Sequence, residues 1–325
     1  GLMGVIGAFG MPAGMAILPL LVKREDLAPA NAITGSTSQL ISALAPALVG
    51  FAVLFLSTEP LQTLLQGTWP TIEELPRRAD MQGIGLAYAI NLILITVSMA
   101  PLWMIKPESE VTTPNQKDSL FNSIQDGFTY VGQDTSLRAF IIYMTITTFL
   151  SMGPQVVGMP VLADENLSGM RSYGLLMSAQ GLGAVFGSLL AAVATPSARL
   201  LGPIVMSLAI VRGMGTLLIA AISSHLQGIV LMTVMGILMG YSSIIFITWV
   251  QKRVSLEYIG RVMSLVMLAV MGLQPLSQGF SGWFIDVAGV TTLFLSMGLF
   301  MIITPLFALL SPDIRNMGEP RTDRQ

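Results

Sequence analysis

Residues 227–249, with the sequence QGIVLMTVMGILMGYSSIIFITW, contain no Asp, Glu, Lys or Arg. About 20 consecutive apolar residues in an α-helix cross the hydrocarbon core of a bilayer, which is roughly 30 Å thick. A stretch of this length and composition therefore predicts a transmembrane helix. Because eight further apolar stretches of similar length occur in the chain, the sequence predicts an all-α polytopic membrane protein with about nine spans.

The predicted spans are almost free of charge. Eight of them contain no Asp, Glu, Lys or Arg, and the sixth contains only Arg212. Over the whole chain 53% of the residues are hydrophobic and 10% are charged, with a mean hydropathy of +0.73, whereas soluble domains carry about 25% charged residues. The spans are expected at 2–22, 34–57, 83–105, 139–163, 173–195, 201–223, 227–249, 262–285 and 290–311.

The residue content excludes several kinds of site. The chain has no cysteine and one histidine, His225, so disulfides, thiolate metal sites and cysteine nucleophiles are excluded. The sequence contains no phosphate-binding loop, which excludes ATP-driven transport by this chain. It also contains no cluster of metal ligands. We therefore expect no metal, no cofactor, no nucleic-acid partner and no enzymatic activity.

Residues 106–138 divide the chain. Their first part, KPESEVTTP, is typical of a flexible linker. In their second part, apolar residues at helical spacing predict an amphipathic helix along the cytoplasmic interface, and these residues are Leu120, Phe121, Ile124, Phe128 and Val131. The predicted organisation is a partial N-terminal bundle of three spans over 1–105, this linker over 106–138, a six-helix bundle over 139–311 and a tail over 312–325.

Charges between the spans predict the orientation. With the loop after the first span placed in the cytoplasm, twelve Lys and Arg residues lie inside and three lie outside. Cytoplasmic loops of membrane proteins carry such an excess of Lys and Arg. We therefore expect the segment 106–138 and the C-terminus to be cytoplasmic.

Three segments, in their order and spacing, carry a family resemblance. The first is LVKREDLAPANA at 21–32, followed by APALVG at 45–50. The second is SLFNSIQDGFTY at 119–130, and the third is GRVMS at 260–264, followed by Gln274-Pro275 and by GFSG at 279–282. In these residues the chain resembles the major facilitator superfamily, and within it the bacterial exporter branch of macrolide and siderophore efflux proteins.

The resemblance implies two helical bundles, alternating access and a bacterial cytoplasmic (inner) membrane. It matches the nine spans to the family's helices four to twelve, so that helices one to three and the gating motif between helices two and three are absent. The chain departs from the exporter pattern at Ala45, where the family has Gly before Pro46. Residues 187–199 keep a Gly and an Arg of a related family motif but lack its Asp. These departures weaken the case for drug antiport more than the case for transport.

Arg212 is the only charge within the predicted spans. A central Arg costs roughly 2.5–3.5 kcal/mol on insertion scales, and intramembrane charges often mark functional sites. No predicted span contains an acidic residue that could pair with it. Two interpretations stay open. One is structural packing or snorkelling, which the peripheral place of this span in the family favours, and the other is a coupling or substrate-binding role.

Polar side chains within the spans are the remaining candidates for substrate binding. Amides both donate and accept hydrogen bonds, so they suit a polar cavity in an apolar wall, although hydrogen bonds between helices are the alternative. The 22 methionines are either an adaptable apolar surface or filler. The predicted substrate-binding residues are Gln39, Gln155, Gln180, Gln274, Gln278, Arg212 and Tyr241.

Glycines and prolines are predicted to let helices pack closely and bend. Arg261 belongs with Lys252, Arg253 and Glu257 to a charge cluster, which either latches the two halves together or only reflects the positive-inside bias. The predicted gating and hinge residues are Gly10, Pro12, Gly14, Pro46, Gly236, Gly240, Arg261 and Pro275.

The sequence thus predicts a secondary active transporter, an antiporter that exports small amphipathic molecules, with the lipid bilayer, a small-molecule substrate and a proton as its partners. The proton-carrying acid is expected in the absent helices or at a loop edge, where Asp164 and Glu165 are candidates. The alternative is a non-transporting structural or regulatory protein of the same fold. An intramembrane serine hydrolase built on Ser281 ranks third, because His225 in a predicted outer loop is a poor general base for it.

Overall fold

The apolar stretches fold as helices. The computed structural model describes residues 17–56, 120–167 and 170–319, and the regular structure within these ranges is helical throughout. The all-α polytopic fold class predicted from the sequence is thereby confirmed. The predicted span 83–105, most of the predicted span 2–22 and the predicted hinge residues Gly10, Pro12 and Gly14 lie outside the described residues.

The helices belong mainly to one of two units. This unit comprises residues 1–43 and 119–325, and the second unit comprises residues 44–118. The α-helices are α1 (Leu27–Leu56), α2 (Leu120–Gln133), α3 (Thr135–Gly153), α4 (Met159–Asn166), α5 (Met170–Val193), α6 (Leu201–Ile219), α7 (His225–Arg253), α8 (Ile259–Gly272), α9 (Gln274–Ala288), α10 (Val290–Ala308) and α11 (Pro312–Arg315). A π-helix at Pro154–Gly158 joins α3 to α4, and a 3-10 turn at Ala198–Leu200 precedes α6.

Six helical segments of the described chain are long and apolar enough to cross a membrane. They correspond to the six spans predicted between residues 139 and 311, and every boundary lies within four residues of the predicted one. The segments are Thr135–Asn166, Ser172–Val193, Ala198–Ile219, His225–Arg253, Ile259–Ala288 and Val290–Ala308.

Proline interrupts one of the six segments. Helix α8 ends at Gly272, and α9 begins at Gln274 with Pro275 in its first turn. Because proline has no backbone N–H, it fits the first turn of a helix. For the same reason it cannot continue the backbone hydrogen bonds of the preceding helix, which ends there. Pro46 lies within α1, which is continuous from Leu27 to Leu56, and its side chain is outside the described residues.

Helices α5 and α7 touch through glycine. A Cβ atom added at Gly236 would lie 2.0 Å from the Gln180 carbonyl oxygen, and one at Gly240 would lie 2.1 Å from the Ala184 carbonyl oxygen. In return, a Cβ at Gly187 would lie 2.0 Å from the Ile237 carbonyl oxygen. Small residues four apart on both helices thus bring the two backbones into contact, as is common in membrane bundles.

The amphipathic helix predicted in the linker exists as α2. It packs on α8 through Gly127, where an added Cβ would lie 3.2 Å from Leu265 Cδ1. Val131, one turn later, is buried, whereas Phe128 is 57% exposed. Of the predicted apolar stripe, Val131 thus lies on the buried face of α2 together with Gly127, whereas Phe128 does not.

Candidate binding cavity

A cavity of about 40 Å³ lies within the helical bundle. One water molecule needs about 10–15 Å³, so the cavity has room for about three waters or one small polar group. Helices α3, α4, α5, α6, α7 and α10 and the π-helix all contribute to its wall. The lining residues are Ser151, Pro154, Gln155, Met159, Gln180, Arg212, Thr216, Ile219, Met232, Met235, Met239, Phe294 and Met301, and none of these carries a carboxylate.

Arg212 reaches the cavity from α6. Its side chain is half-buried, and its buried Nε atom has no hydrogen-bond partner among the described residues. The ion pairs of the described part of the chain are Lys23–Glu25, Asp134–Arg253 and Asp126–Arg261. The guanidinium of Arg212 therefore faces the cavity without a carboxylate counter-ion from the described residues.

The two cavity glutamines bond each other. Gln155 Nε2 donates to Gln180 Oε1 at 2.7 Å. Gln180 comes from α5, and Gln155 comes from the π-helix, where the Met159 N–H donates to the Pro154 carbonyl five residues back. Single π-helical turns are rare and occur often at functional sites. The amide pair therefore crosses the bundle at an irregular turn of the first membrane segment.

Methionines make up much of the apolar wall. Met232, Met235 and Met239 follow one another along α7, and Met159 and Met301 face them from α4 and α10. Methionine is unbranched and polarizable, so it adapts to ligands of irregular shape. The cavity thus combines a small polar set with a wall that can repack.

The other predicted substrate-binding residues lie elsewhere. Gln39, Gln274 and Gln278 are half-buried in α1 and α9 and do not line the cavity. The Tyr241 hydroxyl donates to the Ala194 carbonyl at 2.6 Å, beyond the end of α5. Of the seven predicted residues, the structure brings together Gln155, Gln180 and Arg212 in one cavity, and a substrate-binding role stays a prediction for all seven.

Sequence reasoning gave no role to Ser151 and Thr216, which also line the cavity. Thr216 Oγ1 donates to the Arg212 carbonyl at 3.0 Å, one turn back on α6. Its spacing of four residues from Arg212 is the only signal in the sequence that places it on the same helix face. Ser151 lies near the end of α3 and carries no comparable signal in the sequence.

The residues of the candidate serine hydrolase are not brought together. His225 Nε2 lies 2.9 Å from Ser172 Oγ, at the start of α5. Ser281 is buried in α9 and faces Gly153 of α3, where an added Cβ would lie 2.1 Å from Ser281 Oγ. His225 is thus hydrogen-bonded to a different serine.

A buried polar cluster joins α1 to α7. Asn31 Nδ2 donates to Thr248 Oγ1 at 2.9 Å and to Gln251 Oε1 at 2.6 Å, and all three side chains are buried. Near it, Arg24 Nη1 donates to the Lys252 carbonyl at 3.5 Å. Asn31 stood in a family-like segment of the sequence, but nothing in the sequence named its partners.

Two arginines of the predicted charge cluster, Arg253 at the end of α7 and Arg261 in α8, pair with the linker. Arg253 binds Asp134, the residue between α2 and α3, and Arg261 Nη1 lies 3.0 Å from Asp126 Oδ2 on α2. The Arg253 Nη1 atom also donates to the carbonyl of Met317 in the tail, at 2.9 Å. These arginines therefore fasten the linker helix and the tail to the bundle.

A comparison with family models gives one further finding. The model described as Major Facilitator Superfamily matches residues 1–277. No curated protein and no solved structure is similar enough to the chain to match it.

Within the described residues, no group of three or more His, Cys, Asp or Glu side chains is arranged to hold a metal ion.

Proposed function

The chain belongs to the major facilitator superfamily, a family of membrane transporters, and on that premise we propose that it exports small amphipathic molecules by proton-coupled antiport across a bacterial inner membrane. The observation that carries the proposal is the cavity around Arg212, Gln155 and Gln180. Ligand sites are commonly apolar pockets with a few convergent polar groups, and this cavity has that composition inside a membrane bundle.

Alternating access requires contacts between the two halves that can open and close. The Asn31 cluster is the best candidate, because it joins α1 of the N-terminal half to α7 of the C-terminal half. In the proposed orientation it lies at the cytoplasmic end, where the linker and the tail also lie. Gly236, Gly240 and Pro275 would serve as the points at which helices slide or bend during this change.

Proton coupling needs an acid that can be protonated and released. Asp164 and Glu165 are exposed in the last turn of α4, at the end of the first membrane segment. Carboxylates at such an edge can exchange protons with water on one side of the membrane. We assign them this role as part of the proposal.

The test is gradient-driven efflux. The purified full chain is reconstituted in vesicles loaded with amphiphiles of positive, zero or negative charge, and the outer medium is then acidified. Faster efflux of at least one amphiphile, abolished by a protonophore and absent from protein-free vesicles, is the expected result. If correctly inserted protein gives no gradient-dependent efflux of any of them, the non-transporting structural or regulatory protein becomes the better description.

A further inference from the structure

The charge balance of the cavity defines what it can bind. Arg212 brings a positive charge, and no residue of the lining carries a negative one. A partly buried guanidinium that has no counter-ion among the described residues is costly in apolar surroundings, so an anionic group is the ligand that this wall favours. A neutral or cationic ligand would leave the guanidinium without a charged partner among the described residues.

The position of the unpaired atom indicates the shape of the anion. The Nε atom of Arg212 is buried and has no partner among the described residues. A guanidinium binds a carboxylate side-on through Nε–H and one Nη–H, with one hydrogen bond to each carboxylate oxygen. We infer that the cavity binds the carboxylate of an amphipathic acid against Arg212, which deepens the proposed function by naming the class of molecule carried.

The remaining polar groups of the cavity fit this ligand. Gln155 donates to Gln180 Oε1, which leaves the Gln180 amide nitrogen as a further donor. A volume of about 40 Å³ suits a carboxylate group but not a whole amphiphile. The apolar body must therefore extend along the wall.

The methionines supply that extension. Met232, Met235 and Met239 on α7 and Met301 on α10 give a flexible surface that can accept hydrocarbon of different lengths. A free inorganic anion would use the charge of Arg212 but not this surface. The composition of the wall therefore favours a carboxylate with an apolar chain over a halide.

The experiment measures binding without transport. The purified full chain in a neutral maltoside detergent is titrated calorimetrically with hexanoate, 1-hexanol or chloride, with micelles alone as the blank. Hexanoate is expected to bind at least tenfold more tightly than 1-hexanol. Chloride is expected to compete only weakly, with a Kd at least tenfold above that of hexanoate.

Variants assign the site. Arg212→Gln is expected to raise the Kd for hexanoate at least tenfold. Arg212→Lys keeps the positive charge but cannot form the bidentate side-on contact with a carboxylate. Its Kd for hexanoate should therefore lie between those of the unaltered chain and of Arg212→Gln. The control is Arg199→Gln, which removes an exposed arginine from the turn before α6 and should leave the Kd unchanged.

Several results would overturn the inference. One is a monodisperse Arg212→Gln protein that binds hexanoate like the parent, and another is equal binding of 1-hexanol and hexanoate by the unaltered chain, which needs no variant to fold. Chloride binding that hexanoate cannot displace would assign the site to an inorganic anion instead. Arg212-dependent binding without efflux would leave the inference standing and remove the transport proposal. Efflux that is unaffected by Arg212→Gln would leave the transport proposal standing and remove the inference.

Discussion

Asp134 and Arg253 form a bidentate ion pair at the end of the bundle. Arg253 Nε donates to Asp134 Oδ2 at 2.6 Å, and Arg253 Nη2 donates to Oδ1 at 3.0 Å. The same carboxylate caps α3 by accepting from the Leu137 N–H at 3.0 Å. Both side chains are nearly or fully buried, so the pair links the start of α3 to the end of α7 away from solvent.

Replacing Asp134 with Ala should destabilise the protein strongly. Breaking a buried ion pair by removing one partner costs about 3–5 kcal/mol, and losing the helix cap costs about 1 kcal/mol more. The measurement is the apparent melting temperature of the purified protein in detergent. Lys23→Ala is the control, because Lys23 and Glu25 are exposed and 4.0 Å apart. Equal melting temperatures for the two variants would contradict the structural role of the pair.

Replacing Gly236 with Ala should force α5 and α7 apart. The new Cβ would lie 2.0 Å from the Gln180 carbonyl oxygen, which belongs to backbone and cannot turn away. Overpacking of this kind costs about 1–3 kcal/mol, and the apparent melting temperature should fall. Gly279→Ala is the matched control, since nothing lies within 4 Å of its added Cβ. There the change should be neutral or stabilising by up to about 1 kcal/mol. A fall of the same size at both positions would refute the close contact.

Replacing Asn31 with Leu should uncouple α1 from α7. Thr248 and Gln251 would lose their shared partner, at a cost of about 1–3 kcal/mol for buried polar groups left unsatisfied. The expected result is at least a fivefold change in the labelling rate of a single cysteine placed at the Arg24 end of α1. The chain has no cysteine of its own, so labelling reports only the introduced residue. Thr34→Ala is the control, because Thr34 bonds only the Ala30 carbonyl of its own helix. Unchanged labelling in the Asn31 variant would exclude a gating role for the cluster.

Replacing Ser277 with Ala should loosen the contact between α3 and α9. Ser277 Oγ accepts from the Gly153 N–H at 2.7 Å and donates to the Phe149 carbonyl at 2.5 Å. Loss of two such bonds costs about 1–3 kcal/mol in total, which should lower the apparent melting temperature. Ser264→Ala serves as the reference, since the exposed Ser264 hydroxyl bonds only the Gly260 carbonyl of its own helix. Similar behaviour of the two variants would show that the contact adds no stability.

Replacing Ser281 with Ala should leave transport unchanged. Ser281 is buried against Gly153, and His225 is hydrogen-bonded to Ser172 instead. Efflux from reconstituted vesicles is the measurement, with substrate cleavage followed in the same samples. A cleavage activity that disappears in this variant would restore the serine hydrolase as a function.

The sequence predicts the six spans between residues 139 and 311 well, because the length and the low charge of each stretch are enough to identify it. A segment such as His225–Arg253 must cross the bilayer as a helix, since lipid offers its backbone no other hydrogen-bond partners. The sequence of the segment therefore predicts the helix independently of the helices that pack against it. The close packing at Gly236 and Gly240 follows from the same helix, because residues four apart share one face.

The candidate site is only half readable from the sequence. Arg212 and the glutamines stand out as polar residues in apolar segments, but which of them meet depends on how each helix is turned. Gln155 and Gln180 face each other, whereas Gln274 and Gln278 do not reach the cavity. The type of a side chain gives no information on how its helix is turned. Only the structure therefore distinguishes the polar residues that line the cavity from those that do not.

The π-helix at Pro154–Gly158 has a consequence for the register of its segment. Each residue of an α-helix advances about 100° around the axis. A π-helical turn accommodates one extra residue, so α4 is out of phase with α3 by about that angle. Deleting one residue within 154–158 would restore a continuous α-helix and rotate α4 about its axis. Met159 would then leave the cavity wall, and residues that now face the outside of the segment would take its place.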